Sequence, residues 1–339
     1  MNSAVIAGEA ASFPDGQWEF RGQIQAWREL LRHCGRRPGR KCVHDLRVAT
    51  LRLQARIEYW LSRQETGAAA AASAIRRWQS QGKKLRRALG PVRQADVSLG
   101  KLAKVRAWAE PSSERSAVFA RECLGAIDEI ERGVRRARDA AAKKLAAAIK
   151  QRRKRLNRLS KKLELALEEI APAAEGDSAD RLRAQIAAVN ADFPELDSEN
   201  LHEFRKRLKK IRYLAEIFAS RDAAAAQIAA TLKRMTGAVG EWHDWQTLTQ
   251  EAARADRKDT GMASTAEFLQ AQAGRTFDHA LKLCRQSMAR LLSGGQPSAT
   301  TPSEPARESA LQVPHKPVVQ ISLDLFQAQL ERPARYRVS

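Results

Sequence analysis

The residues with chemistry to offer are His202, Arg205, Lys209 and Arg212, within LHEFRKRLKKIRYLAEIF at 201–218. On an α-helix each residue turns about 100° and rises about 1.5 Å, so these four share one stripe. Phe204, Leu208, Ile211, Leu214 and Phe218 fall on a separate, apolar face. The stripe itself holds no acid, although Glu203 stands beside it and Lys206 adds a further base. Surface helices ordinarily relieve such a row with acids at i,i+4. A row left this uniform repels itself and calls for an anion from outside.

The same text occurs earlier. VHDLRVATLRLQARIEYW at 43–60 aligns without gaps, His44 on His202, Arg47 on Arg205 and Arg52 on Lys210, at an offset of 158 residues. A second echo follows each copy. LGPVRQADV at 89–97, which carries Arg93, matches VGEWHDWQT at 239–247, with Gly90 on Gly240 at an offset of 150. Two ordered matches at nearly one offset read as an internal duplication.

Composition points to the same kind of partner. Of 339 residues, 60 are Lys or Arg against 39 Asp or Glu, a net charge of +21. The isoelectric point is near 10.4. Such a field selects polyanions: nucleic acid, polyphosphate or an acidic membrane surface. The apolar fraction of 43% suffices for a real core. No run of about 20 apolar residues exists, so no membrane insertion is expected. The N-terminal residues lack a basic start and a sustained apolar stretch, which argues against a secretory signal. Four cysteines in so long a chain make no disulfide framework, and a reducing cytoplasm is the expected location.

The elements that must position these residues read as all-α. Residues 1–16 read as a flexible N-terminus. Trp18–Cys34 reads as a helix, GRRPGR at 35–40 as a turn, and the first histidine helix follows. An alanine-rich helix then runs to about Leu89, where Gly90-Pro91 is expected to break it, and another runs to about Glu110. These would form a first bundle over about 17–110. Glu114–Ile170 holds no proline and reads as one very long helix, or two bent near Gly133. Its Arg132–Lys162 stretch holds fourteen bases and one acid, Asp139. There Arg155, Arg158 and Lys162 repeat the three-and-seven spacing, so they are expected to join the histidine helices. Asp197, Ser198 or Asn200 would cap the second histidine helix. Helices at about 223–238, 241–258 and 263–292 would complete a second bundle over about 114–292. Residues 293–339 read as a Pro/Ser-rich linker and tail, with an apolar-patterned piece at 318–330.

At the histidine helices the chain resembles the CHAD family, the conserved histidine α-helical domain. Its pattern is approximately H-x-L-R-x-x-x-R-R-L-R, twice, each copy followed by LG-x-x-R-D-x-D-V. The second copy here matches through His202, Arg205, Lys209, Lys210, Ile211 and Arg212, with lysine for two arginines. The first matches through His44, Leu46, Arg47, Arg52 and Leu53, and departs at Leu51 and Gln54. Gln94 and His243 depart within the second motif. The resemblance spans about 17–292. It implies two antiparallel helical bundles about a pseudo-twofold axis, with a basic central groove that binds inorganic polyphosphate. His44, Arg47, Arg52, Arg93, His202, Arg205, Lys206, Lys209 and Arg212 would line that groove, joined by Arg155, Arg158 and Lys162. The weakened first copy implies that the second half carries more of the binding.

A linear phosphate polymer bears charge on every unit and no bases to read, so a row of Arg and Lys suits it. The histidines would serve as hydrogen-bond donors. Arg36, Arg37 and Lys104 read as ordinary solvated surface. His33, Cys34, Cys42 and His44 do not have a zinc spacing, and no nucleophile or phosphate-loop motif appears. Triphosphate-tunnel enzymes that accompany such domains use Glu-x-Glu-x-Lys on strands; Glu129-Ile130-Glu131 lacks the lysine and sits on a helix. A non-enzymatic binder without cofactor is therefore expected. Nucleic acid is the rival partner, although only Tyr213 is interleaved with the bases for stacking. Association with storage granules is a third reading.

Overall fold

The computed structural model describes residues 16–61, 69–111, 116–168, 178–255 and 260–293, and every regular element among them is an α-helix. In order these are α1 (Gly16–Arg36), α2 (Arg40–Leu61), α3 (Ala69–Ala109), α4 (Ala117–Glu168), α5 (Ser178–Asp192), α6 (Leu201–Phe218), α7 (Ala223–Ala252) and α8 (Thr260–Leu292). Runs of Ala, Leu, Lys, Arg and Glu supply the helix propensity. None of these helices is long and apolar enough to cross a membrane. The N-terminal residues up to 15 and the tail from 294 onward lie outside the described residues.

Local breakers do not break two of the helices. Gly90-Pro91 lies inside the 41-residue α3. A mid-helix proline costs about 3 kcal/mol or more. Leu89 and Val92, on either side of it, are both fully buried, and that packing holds the helix through the defect. The break expected between residues 238 and 241 is likewise absent, since α7 runs through Gly237 and Gly240. Helix α4 runs unbroken through Gly133 for 52 residues.

Three cores organise these helices. The first joins α1, α2, the N-terminal half of α3 and the C-terminal half of α4 around Trp27, Leu46, Trp78, Leu89, Ile149 and Leu156. The Trp27 indole packs 5.7 Å from Trp78 and donates to Thr50 Oγ1 at 2.9 Å. Here α1 and α3 each touch both α2 and α4, so α2 and α4 occupy diagonal corners. The second core joins α5, α6, the N-terminal half of α7 and the C-terminal half of α8 around Leu182, Phe204, Leu208, Leu232 and Cys284. The third lies where the remaining halves of α3, α4, α7 and α8 meet, with Trp108 stacked on Phe268 at 4.1 Å.

The expected division at 110/114 is therefore corrected. Leu145, Ile149, Leu156, Leu159 and Leu163 of α4 belong to the first core. Arg28 of α1 locks that half of α4 in place, donating to Ser160 Oγ at 2.7 Å and Glu164 Oε2 at 2.6 Å. The start of α6 is also organised differently from a side-chain cap. Asn200 precedes the helix without capping it, while Asp197 Oδ1 accepts the backbone N–H groups of Glu199 and Asn200.

Candidate anion site between the histidine helices

Helices α2 and α6 pack along one another, and α3 packs on α7 beside them. Arg52 Nε donates to Glu216 Oε2 at 2.9 Å across the α2–α6 seam, and Tyr59 meets Phe218 edge-on at 5.1 Å. The charges of Arg47, Arg205, Lys209 and Arg212 act on one another at this junction. Arg86 and Arg93 of α3 couple into the same group through Arg47.

Among the described residues, Arg47 and Arg205 are aimed by uncharged oxygens alone, whereas Arg212 also pairs with Glu216, its Nε 3.3 Å from Oε1. Arg205 Nε donates to the Thr236 carbonyl at 3.0 Å, Arg212 Nη1 to Thr236 Oγ1 at 3.3 Å, and Arg47 Nη1 to the Arg86 carbonyl at 3.3 Å. Each acceptor is uncharged. A guanidinium has five N–H donors, so each retains several for an anion. The Arg212 guanidinium also lies over the Tyr213 ring, 4.5 Å from its centroid. Gly240 makes room for this arrangement, because a Cβ there would stand 2.7 Å from Arg205 Nη2.

The two halves repeat these contacts in register. Arg47 and Arg205 each reach the carbonyl four residues before the glycine of the following motif, that of Arg86 before Gly90 and that of Thr236 before Gly240. His44 feels Arg93 as its strongest charged neighbour, while the His202 ring lies 4.5 Å from that of His243, the counterpart of Arg93. One pair is exchanged. Where α6 presents Arg212 to Thr236, α2 presents Gln54 to Arg86, whose Nη1 donates to Gln54 Oε1. The base missing from α2 at Gln54 is thus supplied by α3.

Electrostatically the site is a cation cluster that Asp244 and Glu216 compensate only in part. Burial first, then Arg205, Arg212 and Arg47, lower the Lys209 amine from 10.5 to about 7, and Asp244 offsets only part of this. Burial likewise lowers Arg47, Arg86, Arg93 and Arg205. Asp244 is raised by its own burial against the opposing pull of Arg205, Lys101 and Arg93. The histidines follow the same rule. Burial and then Arg205 and Lys206 lower His202; burial and then Arg93, Lys209 and Arg47 lower His44, partly offset by Asp45. His243 falls to about 4, through burial and then His202 and Arg205. The Nδ1 of His202 is buried with no hydrogen-bond partner.

Among the residues expected from sequence, His44, Arg47, Arg93, His202, Arg205, Lys209 and Arg212 are brought together. Arg52 reaches the rim but is engaged by Glu216. Lys206 is exposed and paired with Glu203 one turn away. Arg155, Arg158 and Lys162 are not part of the site. They are exposed on α4, at the corner of the first bundle diagonal to α2, because their leucine neighbours face α1 and α3. Sequence reasoning missed Arg86 and the anchoring role of Thr236. Their common position four residues before a motif glycine was the available signal. No group of three or more His, Cys, Asp or Glu able to hold a metal ion occurs among the described residues.

The profile of the CHAD domain family matches residues 18–254. Two solved structures share the fold. PptA from Streptomyces chartreusis is 16% identical with a TM-score of 0.57, over 80% of this chain and 99% of its own. The CHAD domain from the plant Ricinus communis is 18% identical with a TM-score of 0.53, over 85% and 97% respectively. No curated protein sequence matches the chain. With more than half of its length matched by the family profile and the all-helical fold shared with a solved CHAD domain, the chain belongs to the CHAD domain family.

Proposed function

We propose that this protein binds inorganic polyphosphate, without catalysis, in the trough between α2 and α6. The observation that carries the reading is the aim of Arg47 and Arg205, each fixed on a backbone carbonyl with no carboxylate among the described residues paired to it, beside Arg212, which keeps donors beyond its contacts to Thr236 and Glu216. In a part-buried setting such donors recognise phosphate oxygens through charge-assisted hydrogen bonds. A phosphate chain threading the junction would meet Arg47, Arg86 and Arg93 from one half and Arg205, Lys209 and Arg212 from the other. The unpartnered Nδ1 of His202 suits a hydrogen bond to the same chain. Nothing in the trough calls for a nucleophile or a metal.

RNA is the rival ligand, and Tyr213 weighs against it. Its ring is 3% exposed and already covered by Arg212, which leaves no free face on which a base could stack. Attachment to storage granules would fall to the tail at 293–339, not to the trough. The test is the triple variant R205A/K209A/R212A, assayed with long-chain polyphosphate and with RNA at about 150 mM salt. Binding of polyphosphate should be lost with helical content retained, and R47A/R52A should weaken it less, since Arg52 is held by Glu216. Full affinity in the triple variant, or preference of the native protein for RNA, overturns the proposal.

A further inference from the structure

The α4 stripe excluded from the trough remains to be explained. Residues 140–163 contain ten cations, Lys143, Lys144, Lys150, Arg152, Arg153, Lys154, Arg155, Arg158, Lys161 and Lys162, and no acid. All but Arg152 are exposed, and none forms an ion pair among the described residues. At about 100° per residue, Lys143, Lys150, Lys154 and Lys161 form one row, and Lys144, Arg155 and Lys162 a second about 100° around the helix. At about 1.5 Å per residue the two rows run for about 30 Å. The apolar side of this half of α4 is committed to the first core, so the rows form a convex ridge facing away from α2.

We infer that this ridge is a second, separate polyanion site, and that its partner is the backbone of duplex nucleic acid. Shape decides between polyanions. A flexible phosphate chain laid on a convex ridge would lose conformational freedom with no walls to hold it. A duplex, with a persistence length of about 50 nm, is already straight over such a distance. Its paired backbones flanking a groove also match two parallel rows better than a single strand does. Recognition is independent of base sequence, because a ridge laid along the paired backbones meets phosphates, which carry no sequence information, and residues 140–163 contain no aromatic side chain to stack on a base. An acidic bilayer is disfavoured because, among the described residues, Leu165 is the only large apolar side chain exposed near the ridge.

The experiment measures binding of the full chain to a random-sequence duplex DNA of about 30 base pairs by fluorescence anisotropy across a salt series. The ridge variant K143Q/K150Q/K154Q/R158Q/K161Q replaces exposed residues with a good helix former, and circular dichroism confirms its fold. Loss of five phosphate contacts should reduce the slope of log K against log salt by about 4.5, and affinity at low salt should fall at least about tenfold. Polyphosphate binding should be unchanged in the ridge variant, and DNA binding unchanged in R205A/K209A/R212A. Native DNA affinity in the ridge variant overturns the inference. So does loss of DNA binding in the trough variant, or ridge-dependent binding to phosphatidylserine vesicles tighter than to DNA. Failure of the trough proposal alone would show as full polyphosphate affinity retained in R205A/K209A/R212A, with the DNA result intact.

Discussion

Lys209 should gain a proton when the trough fills. In the free protein its amine lies near 7, because burial and then Arg205, Arg212 and Arg47 outweigh Asp244. Phosphate oxygens at the junction would reverse the balance and return the amine toward its ordinary 10.5. With the free value below the bound one, protons are taken up on binding between those limits. Affinity is then fully present below about pH 7 and lost as pH rises. Each pH unit above about 7 costs about 1.4 kcal/mol, or tenfold in affinity, until the bound value is reached. At about pH 8 the free amine is about one-tenth charged, so binding should draw close to one proton from buffer. The arginines stay charged throughout this range and contribute nothing to the slope. In the free protein His44, His202 and His243 are all lowered from the ordinary 6.5, below this range. Isothermal titration calorimetry in buffers of different ionisation enthalpy measures the uptake directly. The native protein should show it at about pH 8, whereas K209M should show almost none and bind with flat affinity from about pH 7 to 9. Heats independent of buffer and a flat native profile over that range would refute the reasoning, leaving Lys209 charged already or out of reach of the ligand.

The same depression should make K209M more stable than the native protein near neutral pH, with the difference vanishing toward about pH 10.5; equal thermal unfolding midpoints at neutral pH would contradict it. Gly240→Ala should displace the Arg205 guanidinium and weaken polyphosphate binding by about tenfold while circular dichroism stays native. Arg86→Ala should weaken binding measurably, and the double exchange Q54R/R86T, which copies the Arg212–Thr236 arrangement into the first half, should restore it. Phe204→Ala, at a site 1% exposed in the second core, should cost about 3–5 kcal/mol in chemical denaturation; a cost below about 1 kcal/mol would mean α6 is not held by that face.

Which of these features could be read from the chain depends on how local their causes are. Helix identity and the cation stripe of α6 follow from spacings within eighteen residues, and both appear as expected. The stripe of Arg155, Arg158 and Lys162 had the same spacing, yet it stands on another surface. Periodicity states which side of α4 is apolar, not which helices cover it. Gly90-Pro91 shows the reverse error: a strong local breaker was overridden by burial of Leu89 and Val92, which only the assembled core supplies.

By itself, then, the sequence determined an all-helical chain and two histidine helices bearing cation rows, and from these came the expectation of a polyanion. These rest on period, propensity and net charge, which are properties of neighbouring residues and of their sum. Tertiary structure decided which rows meet, that Arg86 stands in for a base absent at Gln54, and that backbone carbonyls rather than carboxylates hold Arg47 and Arg205. It also decided the charge state of Lys209, because that depends on burial and on Arg47, Arg205, Arg212 and Asp244, carried by α2, α6 and α7, acting at one point in space.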